Sequence, residues 1–256
     1  MLHEDFYSRY YPAVASSQAN ASYCEQLYGK NMNQHGFAEV AHLKHLLRET
    51  RLGPGQRALD LGCGTGLITE HLAERSGAHF TGIDLEPDAI RQAKKRARGR
   101  PDLDFQVMDM AELDFPPASF NAVTAVDTLY FTPLGQTLEG LLPLLKPGGR
   151  LAVFWSQGCD PGEPLESFDR RTLPPNFTEL GVELNRLGMA YRTLDYSRSD
   201  YEHAQRKLAI AESLKAEFEA EGNLFLYEDH IQEANGVIRA FEANAHARYL
   251  YLAWWL

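Results

Sequence analysis

Short apolar runs alternate with helical stretches through the middle of the chain. Arg57 to Leu61, Phe80 to Asp84, Leu103 to Asp109, Ala122 to Asp127 and Leu151 to Trp155 have strand length and composition. Such alternation predicts a parallel sheet with helices on both faces, linked by right-handed crossovers. Before it, residues 1 to about 50 read as helical and aromatic; Val40, Leu43, Leu46 and Leu47 keep helical spacing until Arg51-Leu52-Gly53-Pro54-Gly55 stops the helix. Lys146-Pro147-Gly148-Gly149 is a turn into the fifth strand. Beyond residue 156, Pro161, Pro164, Pro174 and Pro175 mark an irregular stretch. A helix from Thr178 to Leu187 and a strand from Met189 to Tyr196 follow. Helical runs over Tyr201 to Ala220 and Leu226 to Ala245 come next, and Ala247 to Leu256 reads as a buried aromatic strand. No internal repeat or low-complexity tract is present.

The junction after the first strand, Ala58 to Gly66 (ALDLGCGTG), carries the strongest chemical signal. An apolar run ends in Asp60 and meets Gly62, Gly64 and Gly66 at alternate positions. A turn of this kind brings bare backbone N–H groups close to a ligand, and the helix after it points its positive end the same way. The spacing G-x-G-x-G is not the G-x-G-x-x-G of a dinucleotide fingerprint. The second and third predicted strands also end in acids, Asp84 and Asp109, and a carboxylate after the second strand is where nucleotide folds bind ribose.

LDLGCGTG, GIDLEP at 82–87, VMDMAELDFP at 107–116 and LLKPGGRLAVFW at 144–155 together resemble the ordered motifs of class I S-adenosylmethionine-dependent methyltransferases. The resemblance spans about residues 40–156. It implies a Rossmann-like, doubly wound, mostly parallel seven-stranded α/β sheet, with the last strand antiparallel between the fifth and sixth. One domain would then cover 1–256: a helical N-terminal lid segment (1–50), a cofactor-binding core (51–156) and a C-terminal part (157–256) whose insertion at about 198–245 completes the lid. The same resemblance implies that Asp60 and the loop Gly62, Cys63, Gly64 and Gly66 hold the methionine end of S-adenosylmethionine. Asp84 would bind both ribose hydroxyls, Leu85 would cover the adenine, and Asp109 with Met110 would flank its edge. These roles suit the residue types, since a carboxylate accepts two hydroxyl protons and an apolar side chain covers a ring face.

Composition narrows the class further. A formal net charge of −10 disfavours an extended phosphate-binding face, so no nucleic-acid partner is expected. The basic run Arg91, Lys94, Lys95, Arg96, Arg98 and Arg100 lies at the end of the helix after the second strand, where cations meet the negative dipole end. The sequence shows no uninterrupted apolar span of about 20 residues and no signal-peptide pattern in MLHEDFYSRYY, which predicts a cytoplasmic protein without membrane contact. Cys24, Cys63 and Cys159 are scattered, and His42 and His45 lack a third ligand, so neither disulfide nor metal is expected. The oligomeric state has no signature.

Methyl transfer from a sulfonium is an in-line displacement that needs alignment and exclusion of water; a base is needed only when the acceptor must lose a proton. Candidates for the small-molecule acceptor, at N, O or C, come from two places. Past the fourth strand, Asp127 and Tyr130 face the crevice and are, with His35, the catalytic candidates; the N/D-P-P-Y motif of enzymes that methylate base amines is missing there, and Asp127 serves either the methionine amine, the acceptor or a turn. Before the first strand, Gln34-His35-Gly36-Phe37 resembles the polar-glycine motif at the mouth of small-molecule methyltransferases. His35 is the candidate base; its other reading is a packing or capping histidine. Tyr7, Tyr11, Tyr28, Gln34, His35, Tyr130 and Trp155 form the expected acceptor-binding set, the tyrosines being either a cation-attracting box or core. Two other readings stand beside this one: a nicotinamide-dependent oxidoreductase, which would need its third glycine one position later, and a non-catalytic S-adenosylmethionine-binding protein.

Overall fold

The computed structural model describes residues 2–159 and 164–255, with side chains from Phe6 onward. Pro161 and Leu256 lie outside the described residues. Two helices open the chain, α1 (Leu2–Ser16) and α2 (Gln18–Tyr28). Between them the Ser17 hydroxyl accepts the Asn20 N–H and caps α2, which Gly29 ends in the left-handed conformation. After an irregular segment, α3 (Val40–Thr50) buries Leu43 and Leu46 and stops at Arg51, as the sequence predicts.

The α/β alternation follows: β1 (Arg57–Leu61), α4 (Leu67–Ser76), β2 (His79–Asp84), α5 (Pro87–Arg96), β3 (Leu103–Val107), β4 (Phe120–Val126), α6 (Leu134–Leu141) and β5 (Leu145–Gly158). The third strand ends before Asp109, which falls in the next turn, and the fifth starts earlier than expected. The rest comprises α7 (Glu179–Arg186), β6 (Ala190–Asp195), α8 (Ser197–Ser213), α9 (Lys215–Ala220), α10 (Leu224–Glu242) and β7 (His246–Trp254). The helix read over Tyr201 to Ala220 is broken at Leu214, whose backbone leaves the helical region between α8 and α9.

Among the described residues the strands form one seven-stranded sheet in the order β3-β2-β1-β4-β5-β7-β6. β1 to β5 pair in parallel, and β7 runs antiparallel between β5 and β6. The expected topology is therefore present. Because successive side chains point to opposite faces, Leu59, Leu61 and Val153 enter one core while Ala58, Ala152 and Phe154 enter the other. Both faces are thus apolar and covered by helices, as a parallel sheet requires. Strand order reverses between β1 and β4, so a crevice opens beyond their carboxyl ends.

A third apolar cluster lies off the sheet. Tyr10, Val14, Tyr23, Leu27 and Tyr28 of α1 and α2 pack with Ala211, Phe218 and Leu226 of α8, α9 and α10. The N-terminal helices and the late insertion thereby make one helical cap with its own core. Glu221 fastens it, its carboxylate accepting from the Ser17 hydroxyl and the Ala19 N–H at the start of α2. No helix among the described residues is long and apolar enough to cross a membrane.

Candidate functional site

The glycine turn has the backbone its composition demands: Gly62, Gly64 and Gly66 have φ values of 66°, 53° and 81°. What each would meet with a side chain separates their roles. A Cβ on Gly62 would lie 2.6 Å from Thr128, and one on Gly64 would lie 3.0 Å from the Tyr11 hydroxyl. A Cβ on Gly66 would meet Phe105 and Ala93 instead, so its lack of a side chain serves the packing of α5 against the sheet. Cys63 likewise turns its thiol towards Gly82 and joins the Ile90, Ala93 and Phe105 cluster.

The two acids that end β1 and β2 hold this turn from inside. Asp60 is buried and accepts from the Thr69 hydroxyl at 2.6 Å and the Thr124 hydroxyl at 2.7 Å. Burial outweighs those donors and pushes its carboxyl up to about 6. Asp84 accepts the Gly64 N–H at 2.7 Å and the Glu86 N–H at 3.0 Å, so each oxygen keeps lone-pair capacity for a further donor. Beside it Leu85 is 51% exposed, an apolar surface available to a flat ring. Asp109 closes its own turn through the Ala111 N–H at 2.8 Å, and Met110 packs against the main core. A cradle of bare backbone, a hydroxyl-accepting carboxylate and an exposed apolar face fit the methionine, ribose and adenine parts of S-adenosylmethionine. Tyr11 of α1 leans over the cradle, a contact the sequence did not reveal.

Two arginines of the basic run after β2 are tied locally. Arg96 bonds the Glu70 carboxylate and the Thr65 carbonyl, and Arg100 pairs with Asp102 and Glu74. The structure places His42 and His45 in packing roles, donating to or accepting from Ser199 and Tyr196.

Beyond β4 the geometry departs most from expectation. Asp127 has φ 58°, a left-handed conformation that costs a non-glycine residue on the order of 1 kcal/mol. Its carboxylate is clamped by the Arg248 guanidinium at 2.8 Å on each oxygen and also accepts the Phe37 N–H at 3.1 Å. Arg248 comes from β7, is 1% exposed, and reaches Asp200 of α8 at 3.3 Å; Asp200 in turn meets His246 at 3.1 Å. Asp127 thus docks the segment before α3 onto the sheet. Gly36 has no side chain because a Cβ there would overlap the Asp127 carboxylate. Neither Arg248 nor Asp200 was identified from the sequence.

Several acceptor candidates prove to be committed elsewhere. The Tyr28 hydroxyl is buried and donates to the Gly36 carbonyl at 2.8 Å. Gln34 donates to the Ala38 carbonyl. The Tyr130 hydroxyl accepts the Ser156 N–H while its ring lies 4.6 Å from that of Trp155, itself buried with Nε1 towards Gln157 at 3.3 Å.

His35 and Tyr7 are brought together with groups the sequence did not mark. The His35 Nε2 atom lies 2.8 Å from Asp229 of α10, and Nδ1 lies 3.3 Å from the Tyr7 hydroxyl. A carboxylate only accepts, so Nε2 carries a proton, and in the neutral imidazole Nδ1 then accepts from Tyr7. Burial pulls the imidazole pKa down, but the charges of Glu233 and Asp229 and the bond to Asp229 hold it above its ordinary value. The Tyr7 phenol is raised by burial and by the carboxylates Glu233, Asp229, Asp84 and Asp127. Rings of Tyr11 and Phe131 lie 5.5 and 5.8 Å from it.

Comparison with known proteins agrees with this geometry. Residues 58–149 match the family model described as a methyltransferase domain. A phosphoethanolamine N-methyltransferase of Triticum aestivum is 28% identical over 238 residues, covering 89% of this chain and 46% of that protein. A ubiquinone biosynthesis O-methyltransferase of Xylella fastidiosa is 39% identical over 102 residues, 39% of this chain and 41% of that one. The chain thus spans less than half the length of these curated relatives. Among solved structures, Haemonchus contortus phosphoethanolamine N-methyltransferase 2, in complex with phosphomonomethylethanolamine and S-adenosylhomocysteine, superposes with a TM-score of 0.70 at 18% identity, covering 97% of this chain and 60% of that one. The motifs, the strand order and the matched methyltransferase domain all fall on the same segment, and together they support a class I S-adenosylmethionine-dependent methyltransferase.

Proposed function

We propose that this protein transfers a methyl group from S-adenosylmethionine to a small amine, with Tyr7, His35 and Asp229 taking up the proton that the amine must lose. When bound, S-adenosylmethionine supplies an electrophilic methyl on a sulfonium, displaced in line. Gly62 and Gly64 would hold its methionine end, Asp84 its ribose and Leu85 its adenine. Since Tyr11 leans on Gly64, α1 acts as a lid that lifts for exchange and then shuts water out.

The observation that carries the amine reading is the Tyr7 hydroxyl within hydrogen-bond reach of His35, which lies in the field of the grouped carboxylates Asp229 and Glu233. That field draws in an ammonium, and nearby ring faces favour it further. An ammonium has no lone pair, so it must be deprotonated before attack. Its proton passes to the Tyr7 oxygen as the phenol proton moves to His35 Nδ1. The imidazolium so formed keeps its Nε2–H on Asp229, which stabilises the charge. Two of the relatives described above are named for N-methylation, which supports the same acceptor chemistry.

The test is turnover of labelled S-adenosylmethionine against panels of small amines and small hydroxyl compounds. Methylated amines should appear, and Tyr7→Phe, His35→Gln and Asp229→Asn should each lower kcat strongly while S-adenosylhomocysteine affinity stays near that of the parent. Products confined to hydroxyl compounds, or a parental kcat in Tyr7→Phe, would overturn the reading.

A further inference from the structure

We propose that His35, Asp229 and Glu233 form a binding site for a divalent transition-metal ion inside the helical cap. Each residue offers one ligand atom, and the three atoms lie within 4.8 Å of one another. Asp229 and Glu233 are one turn apart on α10, so their carboxylates share a face of that helix. His35 arrives from the irregular segment between α2 and α3 and presents Nε2 to that face. Two ligands bound at roughly 2.1 Å from one ion sit about 3 to 4 Å apart, so small side-chain adjustments close the set. One imidazole and two carboxylates are a donor set for zinc, manganese or iron(II), with coordination positions left for water.

A second observation points to a ligand at the same place. The hydroxyls of Tyr10 and Tyr23 are fully buried and have no hydrogen-bond partner among the described residues. The Tyr10 ring meets the His35 ring edge-on at 5.2 Å, and the charge of Asp229 acts on its hydroxyl. Tyr23 stacks at 3.9 Å on His230, the neighbour of Asp229, and after burial the charge of Glu233 acts most strongly on its hydroxyl. A buried polar group left unpaired is costly. Waters on a bound ion would give both phenols partners. Lys207 pairs with one oxygen of Glu233 and leaves the other to an ion.

An ion at Nε2 replaces the proton that His35 shares with Asp229. Filling the site therefore breaks the proton relay, a consequence that rests on the amine-transfer reading, whereas the site itself does not. Zinc titration of untagged, chelator-stripped full-length protein, followed by calorimetry and thermal unfolding, is the test. One equivalent should bind and raise Tm. His35→Gln and Glu233→Gln, the latter keeping an oxygen for Lys207, should each bind zinc at least tenfold more weakly and lose the rise in Tm. Zinc should also slow methyl transfer in the parent, reversibly with chelator. Absence of saturable binding, or parental affinity in both variants, would overturn the site and leave the two phenols to ordinary water. Zinc binding that both variants weaken, in a protein that methylates no amine, would uphold the site and refute only the amine reading.

Discussion

Replacing Arg248 with methionine keeps much of the side-chain volume and removes the charge on which the network between sheet and cap converges. The guanidinium is 1% exposed, and it holds Asp127 through two contacts of 2.8 Å and Asp200 through one of 3.3 Å. Without it, two acids are left in places shielded from water with no cation of their own beyond His246: Asp200 keeps His246, and Asp127 keeps the Phe37 N–H. Breaking a buried ion pair by removing one partner costs about 3–5 kcal/mol. For a chain of this size that lowers Tm by about 6–20 °C, a large part of the roughly 5–15 kcal/mol that holds a domain folded. The loss should depend on pH in a defined sense. Burial already holds the Asp127 carboxyl above its ordinary pKa in spite of Arg248, and removing the arginine raises it further. A carboxyl whose pKa is raised by folding favours the fold when protonated, so the deficit should shrink as pH falls from 7 towards 5. Urea unfolding across that range measures it. Adding Asp127→Asn and Asp200→Asn to Arg248→Met should recover more than half of the loss. A deficit below about 1 kcal/mol, one that does not change with pH, or no recovery in the triple variant would refute the reasoning.

Three further outcomes follow from the same geometry. In Gly36→Ala the new Cβ meets the clamped Asp127 carboxylate, so the segment carrying His35 should undock; kcat should fall by more than S-adenosylhomocysteine affinity, and parental kinetics would show that Asp127 yields freely. Asp84→Ala removes both the acceptor of the Gly64 N–H and the expected ribose contact, so cofactor affinity measured by calorimetry should weaken by about 1–3 kcal/mol, and unchanged affinity would contradict that placement. His42 is held neutral, its pKa lowered to about 4 by burial and by the charge of Arg248, and burial lowers His203 as well. Between pH 6.5 and 4 the unfolded chain takes protons that these folded histidines refuse, so they withdraw stability as pH falls. Asp60, raised to about 6 by burial, acts oppositely, favouring the fold at low pH and costing stability as pH rises through 6. Unfolding midpoints should therefore vary less between pH 7 and 4.5 in His42→Gln, and Asp60→Asn should gain most above pH 6; parental slopes in either variant would contradict the assignment.

The chain's local patterns determined the sheet and the cofactor side of the crevice. Strand-length apolar runs, the alternate glycines at 62, 64 and 66, and acids closing β1 and β2 are short-range features, written within a few residues of one another, and backbone sterics convert them directly into structure. The cap and the acceptor side were decided by tertiary structure. Arg248, Asp200, Asp229 and Glu233 lie on a strand and helices where a charged residue has the same appearance whether it faces water or a buried partner. Their partners Asp127 and His35 stand 121 and 194 positions away from Arg248 and Asp229. The same holds for Tyr28 and Tyr130, whose hydroxyls the sequence left free and the fold has bound to backbone. A residue's type states which hydrogen bonds and charges it can offer; which of them are spent on holding the fold is set by where the distant segments meet.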